Sequence, residues 1–256
     1  MFSVIQAIGR RSIAGIEAVG RLGHFVMDMV RALADIGIWA RLTIVQMRRI
    51  GVDSLPVSVF IAAFTGVVLA LQASYTFTGA VPLYFVGTLV GKTMMLELGP
   101  VLAGLALAGR VGASMAAELG TMTVTEQVDA LETLAYDPQS YLVIPRVLAG
   151  TLMFPVIVAF AIATGIITGW LTSLVLLDLS TQDFIKGLKL FYVFKDVWFG
   201  LLKSASFGFT ITLVGCIVGL STRGGAEGVG RSTTRTVVYS AILILVLDAF
   251  WAVVLL

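Results

Sequence analysis

The chain has 256 residues, 58% hydrophobic and only 12% charged, with a formal net charge of +2. That charge content is far below the roughly 25% usual in soluble domains, and the mean hydropathy is +1.00, which together exclude a soluble fold and leave a membrane domain with little soluble mass. A near-neutral balance argues against nucleic acid as a partner, and one cysteine (Cys216) with one histidine (His24) excludes an intrachain disulfide framework and a Cys/His metal site.

The first region, residues 1–48, reads as an amphipathic helix. Ile5, Ile8, Ile13, Ile16, Val19, Leu22, Val26, Met29 and Leu33 recur at helical spacing, with Arg10, Arg11, Glu17, Arg21, Asp28, Arg31 and Asp35 between them. The polar interruptions argue against a signal peptide. Such a helix lies in a membrane interface or packs on a partner protein.

Residues 49–256 read as an all-α, five-span membrane domain. No charge occurs over 54–91, too long for one crossing of about 20 residues. The run Thr76–Pro82 supplies a turn, so spans are predicted at 55–75 and 84–109. Ala62, Gly66, Ala70 and Ser74 form a small-residue stripe in the first, and Gly104, Ala108 and Gly112 in the second. Such stripes let helices approach closely, within one subunit or between two. Glu97 sits mid-span, three residues before Pro100. An acid at the bilayer centre costs about 2.5–3.5 kcal/mol and must face a cavity or a polar partner. Gly91-Lys92-Thr93 resembles the end of a P-loop, but the first glycine that motif needs is Val86; no ATPase site is expected on this chain.

Residues 110–146 carry Thr123 and Glu126 at capping-box spacing, then Val124, Val128, Leu131 and Ala135 at helical spacing, ending at Asp137-Pro138. A short amphipathic helix over 122–135 follows, either a dock for a partner or a surface helix covering the bundle. The remaining spans are predicted at 147–177, 197–221 and 236–256, with Gly165/Gly169 and Gly215/Gly219 as close-approach pairs and Asp248 inside the last. Cys216, in an apolar run, reads as a small buried hydrophobe. All twelve arginines fall in 1–52, 110–146 and 221–235, and all five lysines at or near the opposite ends of the spans. The positive-inside rule puts the arginine side and the N-terminus in the cytoplasm, and the C-terminus outside.

Several motifs resemble the MlaE/YrbE permease family: Glu97-Leu98-Gly99-Pro100-Val101-Leu102-Ala103-Gly104, Ala108-Gly109-Arg110-Val111-Gly112, Ala117-Glu118-Leu119-Gly120-Thr121-Met122 and Thr125-Glu126-Gln127-Val128-Asp129-Ala130-Leu131, with Asp137-Pro138, Pro145-Arg146 and 233–238 extending the match. The resemblance implies a multi-pass permease subunit of an ABC transporter in the bacterial inner membrane, moving phospholipids between inner membrane and periplasm or outer membrane. It implies a homodimer, a separate cytoplasmic ATPase that binds the ATP, a periplasmic MCE-domain protein and a small STAS-domain protein. It places Glu97, Leu69 and Gln72 at the lipid, and Glu126, Gln127, Asp129 and Leu131 in a coupling helix against the ATPase; no catalytic residue, metal or cofactor of the chain's own is implied. Many relatives carry an arginine where this chain has Leu96, and Lys92 lies five residues before Glu97, which leaves the ionic partner of Glu97 open. An intramembrane enzyme using Glu97 and Asp248 as an acid pair, and a non-transporting scaffold, are the readings from other classes.

Overall fold

The computed structural model describes residue 20 and residues 23–77 and 81–255. The predicted amphipathic helix before that point, and part of the predicted turn before Pro82, lie outside the described residues. The described residues are helical, with no strand among them. A helix over 23–32 (α1) precedes α2 (Ile36–Thr76), α3 (Phe85–Val124), α4 (Gln127–Thr133), α5 (Gln139–Leu176), α6 (Thr181–Leu190), α7 (Phe194–Leu220) and α8 (Gly225–Leu255). Five of these, α2, α3, α5, α7 and α8, are long and apolar enough to cross a membrane.

The spans coincide with the predicted ones but run further at the arginine-bearing ends. Predicted spans 84–109, 147–177 and 236–256 are parts of helices that reach Val124, start at Gln139 and start at Gly225. A charge marks the membrane edge and not the end of a helix. Helix α3 passes Arg110 and Glu118 and ends only at Thr125. The 48/49 boundary is likewise no break: helix Ile36–Gly51 runs through a tight 3₁₀ turn, Val52–Ser54, into the apolar Leu55–Thr76. The break lies at residues 33–35, between α1 and α2.

Small residues set the packing. A Cβ on Gly66 would lie 2.0 Å from the Gly165 carbonyl oxygen, so α2 and α5 touch backbone to backbone. Thr168 Oγ1 donates to Ala63 O across the same contact at 2.9 Å. Gly215 and Gly219 of α7 meet Gly112, Met115 and Ala116 of α3. These stripes therefore join helices of one chain. The core they allow comprises Leu107, Phe154, Ile157, Phe207, Ile211 and Ile244 in one cluster and Leu69, Val86, Val90, Met94 and Phe184 in another. Cys216 is fully buried, packed with Leu119, Leu142, Val143 and Ile144, the role of a small hydrophobe. Met29 and Ala32 of α1 join this cluster, while Val30, Leu33, Ile44 and Val45 stay exposed. The N-terminal segment thus has one apolar face against its own bundle and another left open.

Helix α4 corrects one expectation. It spans Gln127–Thr133, not 122–135, and the capping box is not formed. Thr123 lies in the last turn of α3, where its hydroxyl donates back to Leu119 O. With the chain still helical there, no free N-terminal amide is left for Thr123 to cap. Glu126 takes a left-handed conformation (φ 59°) before α4, and Ala135 (φ 61°) another after it. At that second end Tyr136 N donates to Leu131 O and Ala135 N to Glu132 O, a Schellman closure usually built on glycine. Asp137, read as the stop of this helix, also starts the next, accepting from Gln139 N and Ser140 N.

Helix α6 was not anticipated. Ser180 caps it, accepting from Asp183 N at 3.1 Å, and Phe184 and Gly187 are buried against the start of α3. Thr88 Oγ1 donates to Gly187 O there at 2.5 Å.

Candidate functional site

Inside α3 the regular ladder fails over Met94–Leu98, a wide π turn in which Gly99 N–H reaches back to Met94 O. Pro100 then has no N–H to offer the carbonyl four residues before it. That carbonyl, Leu96 O, accepts instead from Lys203 Nζ of α7 at 3.2 Å. The same ammonium lies 2.8 Å from Glu97 Oε2 and 2.5 Å from Asp248 Oδ1 of α8. The Asp248 contact is an ion pair whose angle falls outside hydrogen-bond geometry.

Three charges from three spans therefore meet around one lysine, whose side chain is 3% exposed. Glu97 is 42% exposed and Asp248 23%. Two carboxylates on one ammonium leave one negative charge in excess, at the more open end. Glu97 and Asp248 share Lys203 rather than facing each other as the acid pair that an enzyme dyad requires. The crevice above the cluster, lined by Glu97, Phe199, Gly200, Lys203 and Trp251, encloses about 10 Å³, roughly one water. Trp251 is held by its indole N–H to Ser206 Oγ at 3.0 Å and by an edge contact with Phe199.

Leu69 and Gln72 lie in a different place. With Phe60, Phe64, Val68 and Leu98 they line an open, apolar groove of about 430 Å³ along α2. The π turn sends Leu98 into this groove and Glu97 into the crevice toward Lys203. The structure thus brings Leu69 and Gln72 together in the groove and sets Glu97 apart from them, in the crevice against Lys203. Lys92 does not pair with Glu97; it forms its own ion pair with Asp196 of α7. Lys203 falls within the predicted span 197–221, yet no local spacing points to it as a partner. The rule that singles out Glu97, that a charge in an apolar run needs a counter-group, applies equally to it.

At the arginine-bearing end, Glu118 of α3 receives Arg146 Nη2 from α5 at 3.0 Å and Arg49 Nη1 from α2 at 3.3 Å. Arg146 is 4% exposed and also donates to Leu142 O at 2.8 Å. Nearby, α4 presents Glu126, Gln127, Asp129 and Glu132 outward. Leu131 and Val128 are half-buried against the cluster around Met29 and Leu142, which anchors the helix to the bundle.

Comparison with known proteins matches this architecture. The family model described as Permease MlaE covers residues 43–254. A probable ABC transporter permease protein of Rickettsia conorii is 39% identical over 246 residues, covering 96% of this chain and 95% of that protein. A protein of Synechocystis with the same description is 39% identical over 82% of this chain and 80% of its own length. The intermembrane phospholipid transport system permease protein MlaE of Haemophilus influenzae is 31% identical over 95% of this chain and 94% of its own. A multi-pass helical bundle matched over nearly its whole length by ABC transporter permeases has its place among them: the chain belongs to the MlaE permease family.

Proposed function

We propose that the chain is the membrane-spanning permease of an ABC transporter for phospholipids, with ATP bound and hydrolysed by a separate cytoplasmic subunit. The observation that carries this reading is the apolar groove of about 430 Å³ along α2, with Leu69 and Gln72 in its wall. It is almost without polar lining and open on the outer side of the bundle, the character that acyl chains require. A second copy of the chain facing α2 would close it, which favours a homodimer with the lipid between subunits. In this arrangement the chain sits in a bacterial inner membrane with its arginine-bearing end and N-terminus in the cytoplasm and its C-terminus in the periplasm. The outward acidic edge of α4, Glu126, Asp129 and Glu132, is then the ATPase contact. An MCE-domain protein exchanges lipid with it on the opposite side, a STAS-domain protein accompanies the ATPase, and no cofactor or metal is held by the chain itself. The Lys203 cluster, on the other side of α3 from the groove, locks three spans together, with Glu97 as its more exposed acid.

Affinity purification from native membranes, with mass spectrometry of proteins and lipids, tests this. An ATPase, an MCE-domain protein and glycerophospholipid are expected, the lipid lost in Leu69→Arg. Recovery of the chain alone, even after crosslinking, would overturn the proposal. Glu97→Ala with unchanged transport in proteoliposomes would remove Glu97 from it.

A further inference from the structure

The arginine-bearing end holds a further pocket, distinct from the groove and from the Lys203 crevice. Its polar wall includes Arg49, Asp53, Ser54, Arg110, Ser114 and Glu118, and it encloses about 270 Å³. That is just below the range of drug-sized ligands, about 300–1,000 Å³, and suits a headgroup rather than a whole lipid. Its location follows from the elements that build it. Arg49 lies in the last turn of helix Ile36–Gly51, Asp53 and Ser54 form the tight turn into the apolar Leu55–Thr76, and Arg110 sits in the wide π turn Ala108–Gly112. The pocket therefore straddles the level at which charged sequence gives way to the uncharged run.

Its charges are unequal in their needs. Glu118 is already matched by Arg49 and Arg146. Arg110 and Asp53 make no ion pair among the described residues, with each other or with any other group, although both line this pocket. Ser54 is 1% exposed, and its buried hydroxyl has no hydrogen-bond partner. An unmade hydrogen bond at a buried hydroxyl costs about 1–3 kcal/mol, which a ligand acceptor would recover. A free guanidinium, a free carboxylate and a free hydroxyl donor around one small space are the complement of a zwitterion.

We propose that this pocket binds the phosphoethanolamine headgroup of a membrane phospholipid, its phosphate toward Arg110 and the Ser54 hydroxyl and its ammonium toward Asp53. Inorganic phosphate or a glycerol headgroup would satisfy Arg110 and Ser54 but place an anion near an unpaired Asp53. A choline headgroup has no N–H to donate to that carboxylate. The site does not rest on the transport reading, since a lipid held here is a resident of the membrane edge.

Native mass spectrometry of the delipidated full-length protein, titrated with dihexanoyl phosphatidylethanolamine, the matching glycerol and choline lipids, or inorganic phosphate, tests it. One phosphatidylethanolamine per chain should be retained at this site. Arg110→Gln should weaken it on the order of tenfold, as expected for a hydrogen-bonded charge, and Ser54→Ala by less. Asp53→Asn should keep binding but erase the preference over the glycerol lipid. Arg110 and Asp53 are exposed, so both variants should keep the wild-type elution profile. Lipid in the groove is counted separately through Leu69→Arg, which leaves this pocket intact. Loss in Leu69→Arg alone bears on the transport reading, whereas equal phosphatidylethanolamine retention by wild type and Arg110→Gln overturns this one. Displacement by equimolar inorganic phosphate also overturns it, in favour of a free-phosphate site.

Discussion

Lys203 has two carboxylates where one would neutralise it, and this redundancy can be measured. In Glu97→Gln the ammonium keeps Asp248 at 2.5 Å, and in Asp248→Asn it keeps Glu97 at 2.8 Å. Each single change should therefore cost only about 0.6 kcal/mol, the average for a polar contact between membrane helices. The double variant leaves the ammonium, 3% exposed, with Leu96 O alone. Stranding a buried charge costs about 3–5 kcal/mol. The double should thus cost about 2 kcal/mol or more beyond the sum of the singles. Adding Lys203→Met removes the stranded charge and should recover most of the loss, because apolar replacement of a buried ion pair is often neutral. Unfolding of the full chain in mixed micelles with rising dodecyl sulfate, followed by tryptophan fluorescence, gives the five free energies. A double variant equal to the sum of its singles within about 0.5 kcal/mol, or no recovery with Lys203→Met, would refute the shared-partner geometry.

Gly66→Ala places a Cβ 2.0 Å from the Gly165 carbonyl oxygen and should destabilise by about 1–3 kcal/mol or more, whereas Gly109→Ala, with nothing within 4 Å, should be neutral or stabilise by up to about 1 kcal/mol; the same micelle titration separates them. Glu118→Gln strands Arg146, 4% exposed, and should cost about 3–5 kcal/mol, against under about 1 kcal/mol for Arg49→Gln on the exposed arm of that network. Glu126→Gly relieves a left-handed residue (φ 59°) and should raise stability by about 1 kcal/mol. Glu126→Lys with Asp129→Lys should leave stability unchanged but weaken retention of the ATPase in pull-down; an intact complex would show that the acidic edge of α4 is not its contact.

How much of this was written in the sequence depends on which physical rule each feature obeys. The spans were legible because lipid tolerates no unpaired charge, and the uncharged runs 54–91 and 147–177 are the direct trace of that. Helix ends were not, because charge marks the edge of the membrane while the backbone ladder continues past Arg110 to Val124. Glu97 was legible as a charge needing company. Its partner was not, because Lys203 lies 106 residues away and local spacing carries no information about which faces of α3 and α7 meet. Leu69 and Gln72 came only from resemblance; nothing in an apolar run distinguishes a groove wall from a lipid-facing wall until α2 and α3 are packed.

The two capping spacings show where local reading stops. Thr123-x-x-Glu126 and Ser180-x-x-Asp183 are alike as strings, and only the second makes a cap. Ser180 sits in an extended backbone (ψ 151°) after Leu177 has already left α5, so the amide of Asp183 is free to meet its hydroxyl. Thr123 is preceded by unbroken helix, and its hydroxyl is drawn back to Leu119 O. A cap needs a polar side chain at the right spacing and a chain that has stopped being helical before it. The second condition is met by Asp178-Leu179 and not by Met122, and recognising it requires knowing where the preceding helix ends. No local stop signal precedes Thr125, and α3 stays helical while it packs on α7 and α8 along Gly112, Met115 and Ala116 and on Thr222 between them at Gly120.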